Sequence, residues 1–122
     1  MTIIKSFKDL DVYKEAYDLA IIVNREVTKF PIFEKNDLES QLRRASKSIP
    51  ANIAEGWGKR RFEKELKKHI DTAVGSANEM EVHISIARDL YYWRKDFCEQ
   101  LLKRYIFLGG KLVNLRNNWK SR

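Results

Sequence analysis

From residue 62 onward, apolar side chains recur at Phe62, Leu66, Ile70, Ala73, Ala77, Met80, Ile84, Ala87 and Tyr91, and after two four-residue steps the spacing alternates three and four without error. Only a helix holds such residues on one face, and a face this long needs other helices to cover it. Three more segments carry the same period. Residues 11 to 30 place Val12, Ala16, Leu19, Val23 and Val27 on one stripe, with Tyr13, Tyr17, Ala20 and Asn24 beside it. Asp11 is the expected N-cap and Phe30-Pro31 the expected stop, because the residue before proline is pushed out of the α region. A segment beginning near Asn36 or Asp37 carries Leu38, Leu42, Ala45, Ile49 and Ile53, and is expected to end at Gly56. The last, from about Asp96, carries Phe97, Leu101, Tyr105, Leu108, Leu112, Leu115 and Trp119, with Cys98, Leu102, Ile106, Gly109 and Val113 as a second stripe.

Four amphipathic helices on short linkers predict an all-α fold, an antiparallel up-down-up-down four-helix bundle, with 1–122 as a single domain. Two prolines and five glycines are too few for the frequent turns of a β protein. Pro50 falls inside the second segment, where it removes a backbone donor, so a bend there or a pair of short helices is expected. Gly75 lies among Ala73, Ser76 and Ala77, and a mid-helix glycine costing about 1 kcal/mol relative to alanine predicts close approach of a neighbouring helix. The first and last segments each carry two apolar stripes, wider than a monomeric bundle needs. Another copy of the chain is the simplest cover, so a homo-oligomer is expected.

Two histidines and one cysteine, far apart in the chain, offer little for a metal site or a nucleophile-base pair, so no metal, no cofactor and no catalysis are expected. No apolar run approaches the roughly 18–20 residues of a membrane span. The opening MTIIKSFKDL lacks the apolar core of a signal peptide, and lone Cys98 forms no intramolecular disulfide. Both fit a cytoplasmic protein. The net charge of +7 is uneven: residues 1–40 carry −2, 41–70 carry +6, 71–93 carry −3 and 94–122 carry +6. Such concentration suits a polyanion or an acidic partner, while a merely solvated face is the plainer alternative. Candidate nucleic-acid-binding residues are Arg43, Lys47, Trp57, Lys59, Arg60, Arg61, Lys64, Lys67 and Lys68. Gly56-Trp57-Gly58 reads as the loop, and an aromatic beside clustered cations can stack a base and neutralise phosphate. Trp57 can equally pack over the bundle end. The absence of helix-turn-helix, RNA-recognition or zinc-finger spacing predicts backbone recognition of RNA or DNA without base readout.

At 100° per residue, Gln41, Arg44, Ser48, Asn52 and Glu55 fall within about 80° of one another beside the apolar stripe of the second helix. Polar groups bordering a packed interface need partners, since each left unpaired costs about 1–3 kcal/mol. Thr72, Ser76, Glu79 and His83 form a matching ridge on the third helix. An Arg44–Glu79 ion pair, or an Asn52 amide bridging to Ser76, is therefore expected in a polar seam that fixes register. The rival reading makes Glu55, Glu79 and His83 catalytic, and it requires a deep polar pocket.

The strings FKDLDVYKEAYDL at 7–19, Phe30-Pro31 followed by Glu34, QLRRASKSIPANIAEGWGK at 41–59 and AVGSANEME at 73–81 resemble the four-helix-bundle proteins encoded in intervening sequences of bacterial large-subunit ribosomal RNA genes. The resemblance runs over nearly the whole chain, and its most specific part is Q-L-R-R-A-x-x-S-I-x-x-N-I-A-E-G. Members have often been labelled ribosomal protein-like. Relatives include accessory proteins of diversity-generating retroelements, which form pentameric barrels with a basic surface and associate with nucleic acid and a reverse transcriptase. The resemblance implies a homopentamer, a reverse transcriptase or other nucleic-acid enzyme as a partner, and a second helix that bends at Pro50 rather than breaking. It puts Gln41, Arg44, Ser48, Asn52, Glu55, Gly75, Ser76 and Glu79 at signature positions. Ala77 and Asn78 depart from it, where relatives commonly carry a larger apolar residue. A protein-protein scaffold with no nucleic-acid role is the alternative function.

Overall fold

A computed structural model describes residues 3–121; Arg122, counted above in the basic tail, lies outside them. After a 3₁₀ turn at Phe7–Asp9 come four helices: α1 Asp11–Glu26, α2 Leu38–Gly58, α3 Glu63–Asp89 and α4 Lys95–Asn118. α2 packs on α3, α3 on α4 and α1 on α2, and α4 meets α1 to close the ring.

Direction follows from the cross-helix bonds. Arg44 pairs with Glu79, Ser48 with Ser76 and Asn52 with His69, so residue numbers rise on α2 as they fall on α3. Arg116 with Asp71 and Ser121 with Glu63 repeat the pattern between α3 and the α4 end. The Trp93 indole N–H donates to the Glu26 carbonyl and Trp57 stacks edge-on with Trp119. The C-termini of α1 and α3 therefore share one pole, and those of α2 and α4 the other. This is the antiparallel up-down-up-down bundle that the periodicity predicts.

The core is a single cluster running through all four helices, with Leu19, Val23, Leu42, Ile49, Ile53, Ile70, Met80, Ile84, Tyr105, Leu108 and Leu112 essentially inaccessible. Cys98 is buried too, and burial pushes its thiol pKa up, which leaves it inert.

Several element ends differ from expectation. α1 stops at Glu26, four residues early, and a 3₁₀ turn follows at Val27–Lys29. The Glu26 carbonyl, which would accept from Phe30 in a continuing helix, is taken by Trp93 at 3.1 Å, and the Phe30 N–H turns to Val27. Leu10 rather than Asp11 is the N-cap residue, while Ser6 and Asp9 form a capping box on the preceding turn. Asp37 does stand at the N-cap of α2, but its side chain caps nothing; buried Glu34 accepts the Leu38 N–H instead and also takes the Tyr92 hydroxyl at 2.7 Å. α2 continues through buried Pro50 as one helix.

Two glycines exchange the expected roles. Gly56 does not end α2; it is buried there, and a Cβ on it would stand 3.2 Å from the His69 Cβ and 3.4 Å from the Leu66 carbonyl. Gly75 is exposed on α3, and a Cβ there would meet nothing within 4 Å. The close α2–α3 approach is therefore made at Gly56. α3 ends in a Schellman motif: the Tyr92 N–H donates to the Ala87 carbonyl, the Tyr91 N–H to that of Arg88, and Tyr91 takes φ +61° where glycine is favoured.

Candidate nucleic-acid interface

Gly56, Trp57 and Gly58 form the last turn of α2 rather than a loop, and the α2–α3 connection is Lys59–Phe62. The change matters for Trp57. It is half-buried, the Arg60 guanidinium lies 4.3 Å over its ring, and Trp119 meets its edge at 6.0 Å and 72°. Arg60 also donates to the Trp57 carbonyl at 2.9 Å. Trp57 is thus a packing residue of the bundle end, with its ring already occupied.

Trp119 packs against the core as its spacing predicts, but α4 ends at Asn118 and Trp119 does so in an extended conformation. The tail then folds across the α2–α3 turn. The Ser121 hydroxyl donates to the Arg60 carbonyl at 2.6 Å, the Trp119 indole N–H reaches the same oxygen at 3.3 Å, and the Ser121 N–H donates to Glu63 at 3.1 Å. That backbone bond, followed by the Lys67 ammonium, holds the Glu63 carboxyl below its ordinary pKa. Gly58, Arg60, Arg61, Trp119, Lys120 and Ser121 line an open depression of about 420 Å³.

The remaining candidate cations divide into two groups. Lys64 and Lys68 are exposed on the first turns of α3, Lys67 bridges to Glu63 at 3.1 Å, and the Lys59 ammonium contacts His69 at 3.2 Å. Arg61 lies over the Phe62 ring at 4.7 Å. Arg61 borders the tail, while Lys64, Lys67 and Lys68 line a shallow depression of their own with Asp71 and Thr72. Arg43 and Lys47 stand apart: at 1.5 Å per residue Arg43 is roughly 24 Å from Lys59 along α2. Arg43 is held by Glu39 and by the Asn24 amide oxygen of α1, and only Lys47 projects freely.

The polar seam between α2 and α3 contains the expected Arg44–Glu79 pair but not the Asn52–Ser76 bridge. Arg44 and Glu79 bond at 2.8 Å, but their side chains are 61% and 43% exposed, so the pair is worth no more than about 1 kcal/mol. Ser76 donates to Ser48 at 3.0 Å, and Asn52 donates to the Ser48 carbonyl and hydroxyl instead of reaching Ser76. The Asn52 amide oxygen pairs with His69 Nδ1 at 3.2 Å. A ring carrying its proton on Nδ1 donates to Asn52 and accepts from Lys59, which ties the seam to the basic end. His69 was missed in the sequence although it lies seven residues before Ser76 on the same ridge; Thr72, chosen instead, bonds its own helix at the Lys68 carbonyl. Gln41 is exposed and reaches only Asp37, and Glu55 lies 3.7 Å from His69 with most of its carboxylate in solvent. His83 is half-buried beside Glu79, at 3.6 Å, with neither of its shielded ring nitrogens hydrogen-bonded among the described residues.

At the opposite pole, Ile32, Phe33, Leu90 and Tyr91 are exposed, Tyr91 at 92%. Arg88, Arg94 and Lys95 stand beside Tyr91 around a wide depression at the α3–α4 turn. The α1–α3 pole thus mixes exposed apolar side chains with charges of both signs, Asp89 and Glu99 lining the same depression as the three cations. Among the described residues no cluster of three metal-ligating side chains occurs, and no helix is long and apolar enough to cross a membrane.

A comparison with curated proteins found no match. A family model does match, over residues 8–114, and its span takes in both strings that carry the signature residues of α2 and α3. With four helices in the expected order and direction, the chain belongs to the 23S rRNA-intervening sequence protein family.

Proposed function

We propose that the chain is a non-catalytic, cytoplasmic, homo-oligomeric bundle that binds nucleic acid, or an enzyme working on nucleic acid, through its basic end. The observation that carries this reading is the surplus of cation at that pole. Glu63 and Asp71 are already matched by Lys67 and Arg116, while Lys64, Lys68 and Lys120 are exposed and form no ion pair among the described residues. Unmatched, solvated cations on one face attract a polyanion through its phosphates. Changing Lys64→Glu and Lys68→Glu together leaves the core untouched. The double variant should bind a 20-nucleotide RNA or DNA at least tenfold more weakly at about 50 mM salt, with the salt slope reduced by about 1.4. Unchanged affinity refutes the reading.

Self-association is supported by apolar side chains left in solvent on three helices: Tyr17 and Ile21 on α1, Val82 and Ile86 on α3, Ile106 and Phe107 on α4. A lone bundle gains nothing by exposing them. The resemblance gives five as the subunit number; a stable 14.5 kDa particle in solution removes the assembly. The non-catalytic reading rests on Glu79 being engaged with Arg44 and on Glu55 lying largely in solvent, so neither carboxylate lines an enclosed cleft. A second reading, a protein-interaction scaffold, is favoured by Ile32, Phe33, Leu90 and Tyr91 at the other pole. A pull-down that survives nuclease treatment would support it.

A further inference from the structure

Resting on the nucleic-acid reading above, we infer that the basic end receives an unpaired base against Trp119, so that the protein binds single strands in preference to duplex. Two half-buried tryptophans meet at this end, and although Trp119 also packs against the core, it is the one whose ring borders open space. The Trp57 ring is covered by the Arg60 guanidinium at 4.3 Å, whereas Trp119 lines the open depression. The Trp119 indole N–H is shared between the Arg60 carbonyl at 3.3 Å and the Ser121 hydroxyl at 3.2 Å, which fixes the ring before any ligand arrives. A pre-set aromatic surface loses little entropy when a base settles on it.

The rest of the depression suits a nucleotide. Its volume of about 420 Å³ lies within the roughly 300–1,000 Å³ of small-ligand sites, and Arg61 and Lys120 on its wall supply charge for the attached phosphate. Gly58 lines it as well, and a Cβ there would meet nothing within 4 Å. A cation-lined groove beside an aromatic platform is the arrangement that holds single strands with little sequence preference. In a duplex each base is stacked between its neighbours and offers the platform no face, so only phosphate contacts would remain.

Two substitutions test this without altering charge. Trp119→Ala removes the platform beyond the end of α4, and Gly58→Leu adds bulk to the wall of the depression at a position where a Cβ meets nothing within 4 Å. Labelled 20-nucleotide RNA and DNA single strands and their blunt duplexes are titrated by fluorescence anisotropy at about 50 mM salt, with thermal midpoints checked for both variants. Wild type should bind single strands more tightly than duplex. Each variant should weaken single-strand binding about 5- to 100-fold while leaving duplex affinity unchanged. The RNA and DNA arms separate the two sources of an unpaired base. Equal wild-type affinity for single strands and duplex, or equal loss of both in the variants, overturns this inference and leaves phosphate binding standing. No binding of any probe overturns the nucleic-acid reading itself.

Discussion

Tyr91 holds a left-handed backbone conformation, φ +61°, at the position after α3 where a Schellman motif ordinarily takes glycine. A Cβ in that conformation crowds the following carbonyl at a cost of about 1–2 kcal/mol. The side chain recovers nothing by packing, since it is 92% exposed. Tyr91→Gly relieves the crowding and gives back about 0.5–1 kcal/mol in unfolded-chain entropy, for a net gain of about 0.5–1 kcal/mol. In a chain of 122 residues this raises the thermal midpoint by about 2–5 °C. Tyr91→Ala is the control, because it removes the same ring and keeps the Cβ. Thermal and urea denaturation of the three proteins should place Gly above wild type, with Ala close to wild type. A Gly variant no more stable than the Ala variant would refute the reasoning, because the left-handed backbone would then carry no strain. The ring itself sits where stability gives no reason for it, beside Leu90 at the α1–α3 pole, which accords with the scaffold reading.

Other perturbations separate the remaining parts of the account. The Tyr105 hydroxyl is fully buried with no hydrogen-bond partner among the described residues, and burial drives its pKa upward, so Tyr105→Phe should stabilise the bundle by about 1 kcal/mol in urea denaturation. Gly56→Ala should destabilise it by about 1–2 kcal/mol after allowance for alanine's better helix propensity, while Gly75→Ala should stabilise the isolated chain by up to about 1 kcal/mol. Glu15 accepts two hydrogen bonds from Arg104, at 2.6 and 3.0 Å, and these hold its carboxyl below the ordinary 4.5. A carboxylate depressed in the folded state adds stability above the unfolded pKa and loses it as pH falls through the folded one. Glu15→Gln should therefore cost up to about 1 kcal/mol at pH 7, and the gap should close below about pH 4.5.

The bundle was legible because its signal is local: three-four spacing needs no knowledge of the partner helix, and short linkers leave few ways to connect four rods. What the spacing alone did not reveal depends on contacts distant in sequence. α1 ends at Glu26 because an indole 67 residues away takes its carbonyl. Trp119 continues the apolar period of α4 by number, and only the bonds of Ser121 to Arg60 and Glu63 draw it out into the tail. The paired asparagines at 117 and 118 were the available sign of a helix end. The glycine exchange was readable in principle. Ile49, Ile53 and Gly56 step by four and three along the buried stripe of α2, whereas Gly75 falls between Ala73 and Ala77 and so points away from theirs. Among the candidate cations, residue type foretold charge but not engagement, since Arg43, Arg60 and Lys67 proved to have intramolecular partners.

The salt dependence of nucleic-acid affinity tests the central claim most directly. Binding of a single strand should weaken linearly in the logarithm of salt concentration, with a slope of about −0.7 for each phosphate held, so three contacts at the cationic end give a slope near −2. A slope indistinguishable from zero, or no binding at about 50 mM salt, would contradict it and leave the lysines of this pole as solvated surface only.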